Sequence, residues 1–425
     1  MPRPLHFVVF SCILLVSVLL YTSSSPQSSI PTAIFTYSDP VCDVYSLPGY
    51  FHLNPSNAVN SSWRPYVPSP CDPPPNILSI LHAYTTSLPS PPEHSAQVTT
   101  VSSFPPIDEE LVPLVNQTVL LIGDSVDRNG LEQLSTILNI PYRIATYENP
   151  YSPNNSATSD WDPRNLPHIL EIPSLNLTFI SVFHYGLDDI DEFSAQDDWH
   201  YPGLAEDRID LLFAPMAAQL LTPPTFISLH SGLWDLAFFG RRDRILSQSL
   251  DEPLSHDRVL WYRHRLGALV ERVQAHWPGT PLWIRKMHRV GEQFWASHDW
   301  SPGVKMGEGF VNFFTNMRCA QIRDLEELVA QDHSLPVFDF GHIWEGWQHL
   351  QDKVHPLLYP GGTIFNQALL HYVWMETQGR NRWMDPKTKH FKPYPDLPPK
   401  YSTSDIDQDS KSISDCFSST TLLQT

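Results

Sequence analysis

Apolar residues fall into two alternating patterns along the chain. Short, nearly continuous apolar runs stand at 118–122, 177–183, 225–230, 281–287 and 337–340. Each has the length and character of a strand buried on both faces. Between and after them, apolar residues recur at helical spacing, which predicts helices after residue 125 and over 211–221, 259–276, 312–330 and 365–375, with a short one near 76–84. Pro223 and Pro224 stop the helix over 211–221. Strands alternating with helices predict an α/β fold: a central parallel sheet of about five strands, helices on both faces, and every strand ending at one edge.

Outside this beat the pattern breaks down. An apolar run over 7–21 follows Arg3 and His6, and no charged residue separates it from Asp39. It predicts a signal anchor or signal peptide over 1–24, with the remainder translocated into the secretory lumen or out of the cell. The Ser/Pro-rich stretch over 25–40 reads as a stem and favours the anchor, a single-pass type II membrane protein. Thr22 and Ser24 fit cleavage and a secreted product. Residues 41–105 are dense in proline and poor in period, an irregular cap on a catalytic domain over 106–382. From 383 to 425 the chain is polar and is expected to be largely disordered.

The formal net charge of −19 over 425 residues, with no Lys/Arg-rich run, argues against a nucleic-acid partner and favours a neutral or weakly charged substrate. The 13 Trp and 16 Tyr suit carbohydrate contacts as well as a core. Asn60, Asn116, Asn154 and Asn176 each open an Asn-x-Ser/Thr sequon, in keeping with a lumenal chain. Of the 5 cysteines, Cys12 lies in the apolar run. Cys42 and Cys71 bracket an irregular segment that needs a covalent tie in an oxidising compartment, and they are predicted to pair. A second bridge between Cys319 and Cys416 stays open.

Candidate chemistry gathers at the predicted strand ends. Gly123, Asp124 and Ser125 follow the first buried run, so the serine stands at a tight strand-to-helix turn. Free N–H groups at a helix N-terminus favour a developing oxyanion there. A serine hydroxyl needs a base, and histidine is the side chain suited to the task; a carboxylate must then hold the imidazole in the right tautomer. Asp352 and His355 supply both after the last strand and before the last helix. Their order along the chain raises the pattern above chance occurrences of either motif.

The pattern Gly123-Asp124-Ser125 with distal Asp352-x-x-His355 resembles the SGNH/GDSL hydrolase superfamily. More narrowly, Gly-Asp-Ser-x-x-Arg-Asn over Gly123 to Asn129 is similar to the trichome-birefringence-like polysaccharide O-acetyltransferases and related PC-esterase proteins. Three other segments share the likeness: Cys42 and Cys71 with the aromatic stretch between them, Ser231-Gly232-Leu233-Trp234, and Pro360-Gly361-Gly362 with Phe365-Asn366. The resemblance implies a flavodoxin-like three-layer sandwich, with Ser125 as nucleophile, His355 as base and Asp352 as its orienter. Carbohydrate acceptor and acyl donor are the implied partners, the membrane is met only through the N-terminal segment, and no cofactor is implied. It also implies glycan O-acetyl transfer, in the Golgi for an anchored chain; a secreted carbohydrate esterase uses the same triad. Trp234 stands where the superfamily places an oxyanion-binding Asn. The Ser125 N–H, with Gly186 or Gly232 backbone or with Arg128 or Asn129, is the expected substitute. Arg128 could instead pair internally with Asp124 or Asp127, and Asn129 could brace the turn.

Two other classes stay in view. Asp189-Ile190-Asp191 after a predicted strand is the acidic pattern that holds a divalent cation in many glycosyltransferases, and an inactive glycan-binding protein could keep the same scaffold. His184, His230 and His288 lie at predicted strand ends, but their spacing matches no zinc motif, and no metal is expected.

Overall fold

In the computed structural model, described over residues 43–66, 75–88, 105–145, 166–188, 202–220, 222–290, 313–347, 349–351 and 354–383, the first buried run forms the middle strand of the sheet. The described residues all belong to one compact unit that starts at residue 42. The apolar run over 7–21, Cys12, Cys42, Cys71, Cys416, Asn154, Asp189 to Asp191 and Asp352 lie outside the described residues. Among the described residues no helix is long and apolar enough to cross a membrane, and no cluster of His, Cys, Asp or Glu could hold a metal. Cys319 is a buried free thiol.

The strands are β1 (Gly49–His52), β2 (Ser62–Pro65), β3 (Thr118–Gly123), β4 (Arg143–Ile144), β5 (His168–Ile172), β6 (Leu177–Phe183), β7 (Phe226–Leu229), β8 (Leu282–Arg285) and β9 (Val337–Phe338). β1 and β2 pair as an antiparallel ribbon, and the others form a 7-stranded sheet in the order β4-β5-β6-β3-β7-β8-β9. From β6 to β9 the neighbours are all parallel, which gives the expected five-stranded core. The sheet is larger than expected because β5 and β4 extend it antiparallel beyond β6. The helices are α1 (Ile77–Ser87), α2 (Ser125–Leu138), α3 (Ala205–Arg208), which a π-helical turn joins to α4 (Ala214–Leu220), α5 (Leu233–Ile245), α6 (His256–His276), α7 (Asn316–Asp332), α8 (Phe340–Ile343) and α9 (Thr363–Trp383). α2 lies against β3, β5 and β6, and α9 packs on α1 and α2; α6 packs on α7, which covers β8.

From β3 the chain crosses to one side for β5 and β6 and to the other for β7, β8 and β9. The strand order therefore reverses beside β3, the kind of edge where open α/β sheets bind ligands. Residues before β3 share the core of the sheet. Val44, Tyr45, Phe51, Ile77, Leu78 and Leu81 are buried with the strand residues, and Gln367 of α9 donates to the Ser61 carbonyl at 2.7 Å.

What ties α2 to the strand ends is charge. Arg285, the last residue of β8, is 0% exposed, and its guanidinium forms two hydrogen bonds to Asp127, each 2.7 Å. Asp127 also accepts the Asp124 N–H, while Asp124 accepts from Val126, so the two close a capping box on α2. Gly123 is required by this crowding, since a Cβ there would stand 1.9 Å from Asp127 Oδ2. Beside this pair His230 sits between two carboxylates, with Nε2 3.2 Å from Asp124 and Nδ1 3.3 Å from Glu326. Glu326 in turn accepts the Met287 N–H at 2.8 Å. Burial and Arg285 oppose a charge on His230, but the two carboxylates outweigh them and push it up to about 9. Burial alone would raise Asp124; His230 and Arg285 reverse that and hold it well below the carboxylate range.

Removing a partner of a buried ion pair leaves the other charge uncompensated. Asp127→Ala is expected to lower unfolding stability by about 3–5 kcal/mol, read by urea titration. His230 holds its proton more tightly folded than unfolded, so its contribution is complete below its ordinary pKa of 6.5 and fades as pH rises toward about 9. The thermal midpoint should therefore fall across that window, and His230→Gln should remove that part of the fall.

Candidate active site

Ser125 opens α2 directly after the β3 turn, half-buried, and its Oγ lies 2.6 Å from Nε2 of His355. The two residues are separated by 230 positions in the chain. The imidazole arrives on the segment between α8 and α9, which folds back on itself through a bridge between Leu350 and Pro356. A neutral imidazole at this distance can accept the hydroxyl proton, which is the geometry a general base requires. The expected orienting carboxylate, Asp352, is among the residues of this segment that lie outside the described ones.

The Ser125 N–H is at the first helical position, where no intrahelical acceptor exists and the helix dipole favours negative charge. Next to β3, the chain leaving β6 turns at Gly186 with φ of +92°. Asp235 and Trp234 crowd this glycine so closely that a Cβ would come within 3.1 Å of both. The turn is held on several sides. Arg208, itself buried, donates to the Gly186 carbonyl; Arg265 donates to the Leu187 carbonyl at 3.2 Å; and the Leu187 N–H donates to Asp235 at 2.8 Å. Behind it, Ser231 donates to the other oxygen of Asp235 at 2.6 Å, and His184 donates from Nε2 to Ser231 at 3.1 Å. Burial raises Asp235 to about 6 and holds His184 neutral. This chain of side chains resembles a triad only in composition: its members are buried, and the serine spends its proton on the carboxylate.

The remaining expected residues divide. Trp234 is 9% exposed and packs edge-on against Tyr185 and Phe183, with ring centroids 5.1 and 6.0 Å away. Gly232 caps α5, and its Cβ direction points toward Met287, Ile322 and His230, away from an open rim. Arg128 does not pair with Asp124 or Asp127, whose charges are taken up by His230 and Arg285. It lies over the Phe183 ring at 5.2 Å and 3.6 Å from Glu132. Asn129, half-buried on α2, makes no side-chain hydrogen bond among the described residues. His184, His230 and His288 serve as internal hydrogen-bonding groups, not as one cluster.

Several residues that shape the site escaped sequence reasoning. Arg285 is visible only as one of two adjacent cations, with Lys286, near the end of a buried run, and Glu326 as one acid among several on an amphipathic helix. Gln133 and His288, which touch the segment carrying His355, gave no signal of that contact.

No protein-family model and no curated protein matches the chain. Among solved structures it is similar to a protein described as a GDSL-like lipase from Parabacteroides merdae, at 14% identity and a TM-score of 0.32, covering 62% of this chain and 96% of that one. It is also similar to the aryl esterase of M. smegmatis, at 13% identity and a TM-score of 0.33 over 60% of this chain and 98% of that one. A third is phospholipase A1 from Streptomyces albidoflavus, at 14% identity and a TM-score of 0.30 over 61% and 99%.

Proposed function

We propose that the chain is a serine-dependent acyl-transfer enzyme of the SGNH type that moves an acetyl group onto a glycan hydroxyl through an acyl-enzyme on Ser125. The observation that carries this reading is the 2.6 Å contact between Ser125 Oγ and His355 Nε2 at the edge where the strand order reverses. Ser125 attacks the ester carbonyl of the donor while His355 takes its proton. The tetrahedral oxyanion forms beside the Ser125 N–H and the Gly186 turn, both fixed before reaction, which is where electrostatic preorganisation acts. His355 returns the proton to the leaving oxygen as the C–O bond breaks. The acyl group then passes to an acceptor hydroxyl, which His355 deprotonates in the same way. Asp352, three positions before His355, is assigned the orienting role that its place in the motif implies.

The glycan acceptor rests on the Gly123 to Asn129 motif and on the sequons, which suit a chain working in the secretory pathway, anchored in the Golgi. Asn60, Asn116 and Asn176 are exposed. Asn116 and Asn176 precede β3 and β6 and are joined by a 2.8 Å hydrogen bond, so glycans there would sit at the opposite end of these strands from Ser125. Transferase and carbohydrate esterase share the first half of the reaction and part only at the acceptor, according to whether water is kept from the acyl-enzyme.

With an activated acetyl ester as donor, Ser125→Ala and His355→Ala are each expected to lower the rate by about 10³-fold or more without a matching loss of stability. Full activity in Ser125→Ala would refute the assignment. Adding a de-acetylated polysaccharide should divert acetyl from free acetate to glycan, read by mass spectrometry of the glycan. Release of acetate alone, unchanged by acceptor, selects the esterase.

A further inference from the structure

His355 is carried by a connecting segment, and such segments move more than the elements they join. A general base is effective only within hydrogen-bond reach of its proton, and a displacement of about 1 Å can cost about 100-fold in rate. Something must therefore hold this segment in register with Ser125.

The peptide groups around His355 show how. The carbonyl before it, Val354, accepts from His288 Nε2 at 2.8 Å. The carbonyl after it, Pro356, accepts from Gln133 Nε2 at 2.7 Å. Its own carbonyl accepts from the Gln351 N–H at 2.7 Å, and the Leu357 N–H donates to His349 at 2.9 Å, which closes the turn on itself. The two side-chain donors come from different parts of the fold. His288 follows β8 and is 0% exposed, packed against Phe340 with ring centroids 5.5 Å apart. Burial pushes it down to about 3, so it stays neutral and keeps the Nε2 proton that Val354 needs. Gln133 is on α2, the helix that begins with Ser125, two turns further along. Nucleophile and one donor thus share a rigid rod. Gly362 leaves room for that donor: a Cβ there would lie 2.5 Å from Gln133 Oε1.

We propose that His288 and Gln133 are positioning residues for His355: their side-chain N–H groups grip the backbone carbonyls on either side of it and so fix the imidazole over Ser125 Oγ. The proposal rests on the acyl-transfer reading above. Neither residue touches the reacting atoms, and each acts only through the backbone of residues 354 to 356.

The test compares the purified full chain with His288→Phe, His288→Gln, Gln133→Met and the double variant His288→Phe/Gln133→Met. Three readouts are taken: steady-state turnover of an activated acetyl ester, the rate at which a fluorophosphonate probe labels Ser125, and the thermal midpoint. His288→Phe and Gln133→Met should lower kcat by about 10–100-fold with KM within about 2-fold, and slow labelling in parallel. His288→Gln, which restores a donor, should recover most of the loss. Gln133 is only half-buried, so Gln133→Met tests the grip even where His288→Phe fails to fold. Variants that keep the parent kcat and labelling rate, whatever their thermal midpoint, overturn the positioning role while leaving the acyl-transfer reading intact. A parent chain in which Ser125 is neither labelled nor needed for turnover overturns that reading, and the positioning role with it.

Discussion

A guanidinium with no access to water must be neutralised where it stands. Arg285 ends β8, two strands from the central β3, and the carboxylate that satisfies it, Asp127, belongs to the first turn of the helix that carries Ser125. The bidentate pair sets both the distance and the rotation of that helix against the strand ends. Gly123 has no side chain because Asp127 fills the space, and Asp124 is committed to the cap and to His230. The Gly-Asp-Ser turn is thus shaped by its charges from below, and the serine is the one member left facing outward.

The same economy runs through the other strand ends. His230, after β7, joins Asp124 to Glu326 of α7; His288, after β8, reaches the segment with His355; Gly186, after β6, is fixed by Arg208 and Asp235. β7 and β8 run on into histidines that hold a neighbour in place, β6 into a glycine turn that is itself held, and β3 into the candidate nucleophile. Buried polar groups of this kind specify one arrangement because any alternative leaves a charge or donor without its partner. A reaction that needs atoms placed to a fraction of an ångström is well served by such a floor.

How much of this was legible in the sequence followed from how local the cause was. The five parallel strands announced themselves because burial on both faces demands unbroken apolar runs. β5 did not, because Glu171 faces outward in it and it follows a proline-rich stretch; β4 is only two residues long. α5 was missed for the opposite reason: seven residues in succession from Leu233 to Phe239 are buried, so no helical stripe shows. Ser125 and His355 could be paired because the chemistry of a nucleophile and base constrains residue type and chain order. Arg285 with Asp127, 158 positions apart, could not, since an Arg and an Asp in a chain with so many of each carry no address. Arg128 and Asn129 follow Ser125 on α2: the first is engaged by Phe183 and Glu132, and the second makes no side-chain hydrogen bond among the described residues.

The most direct measurement is the mass of the Ser125 peptide after the chain is mixed with an activated acetyl ester and quenched in acid within the first turnovers. The account predicts one acetyl group on Ser125 that disappears when a glycan acceptor is added, and no adduct in His355→Ala on the same timescale. Turnover with Ser125 never acylated, or with the acetyl group on another side chain, would contradict it.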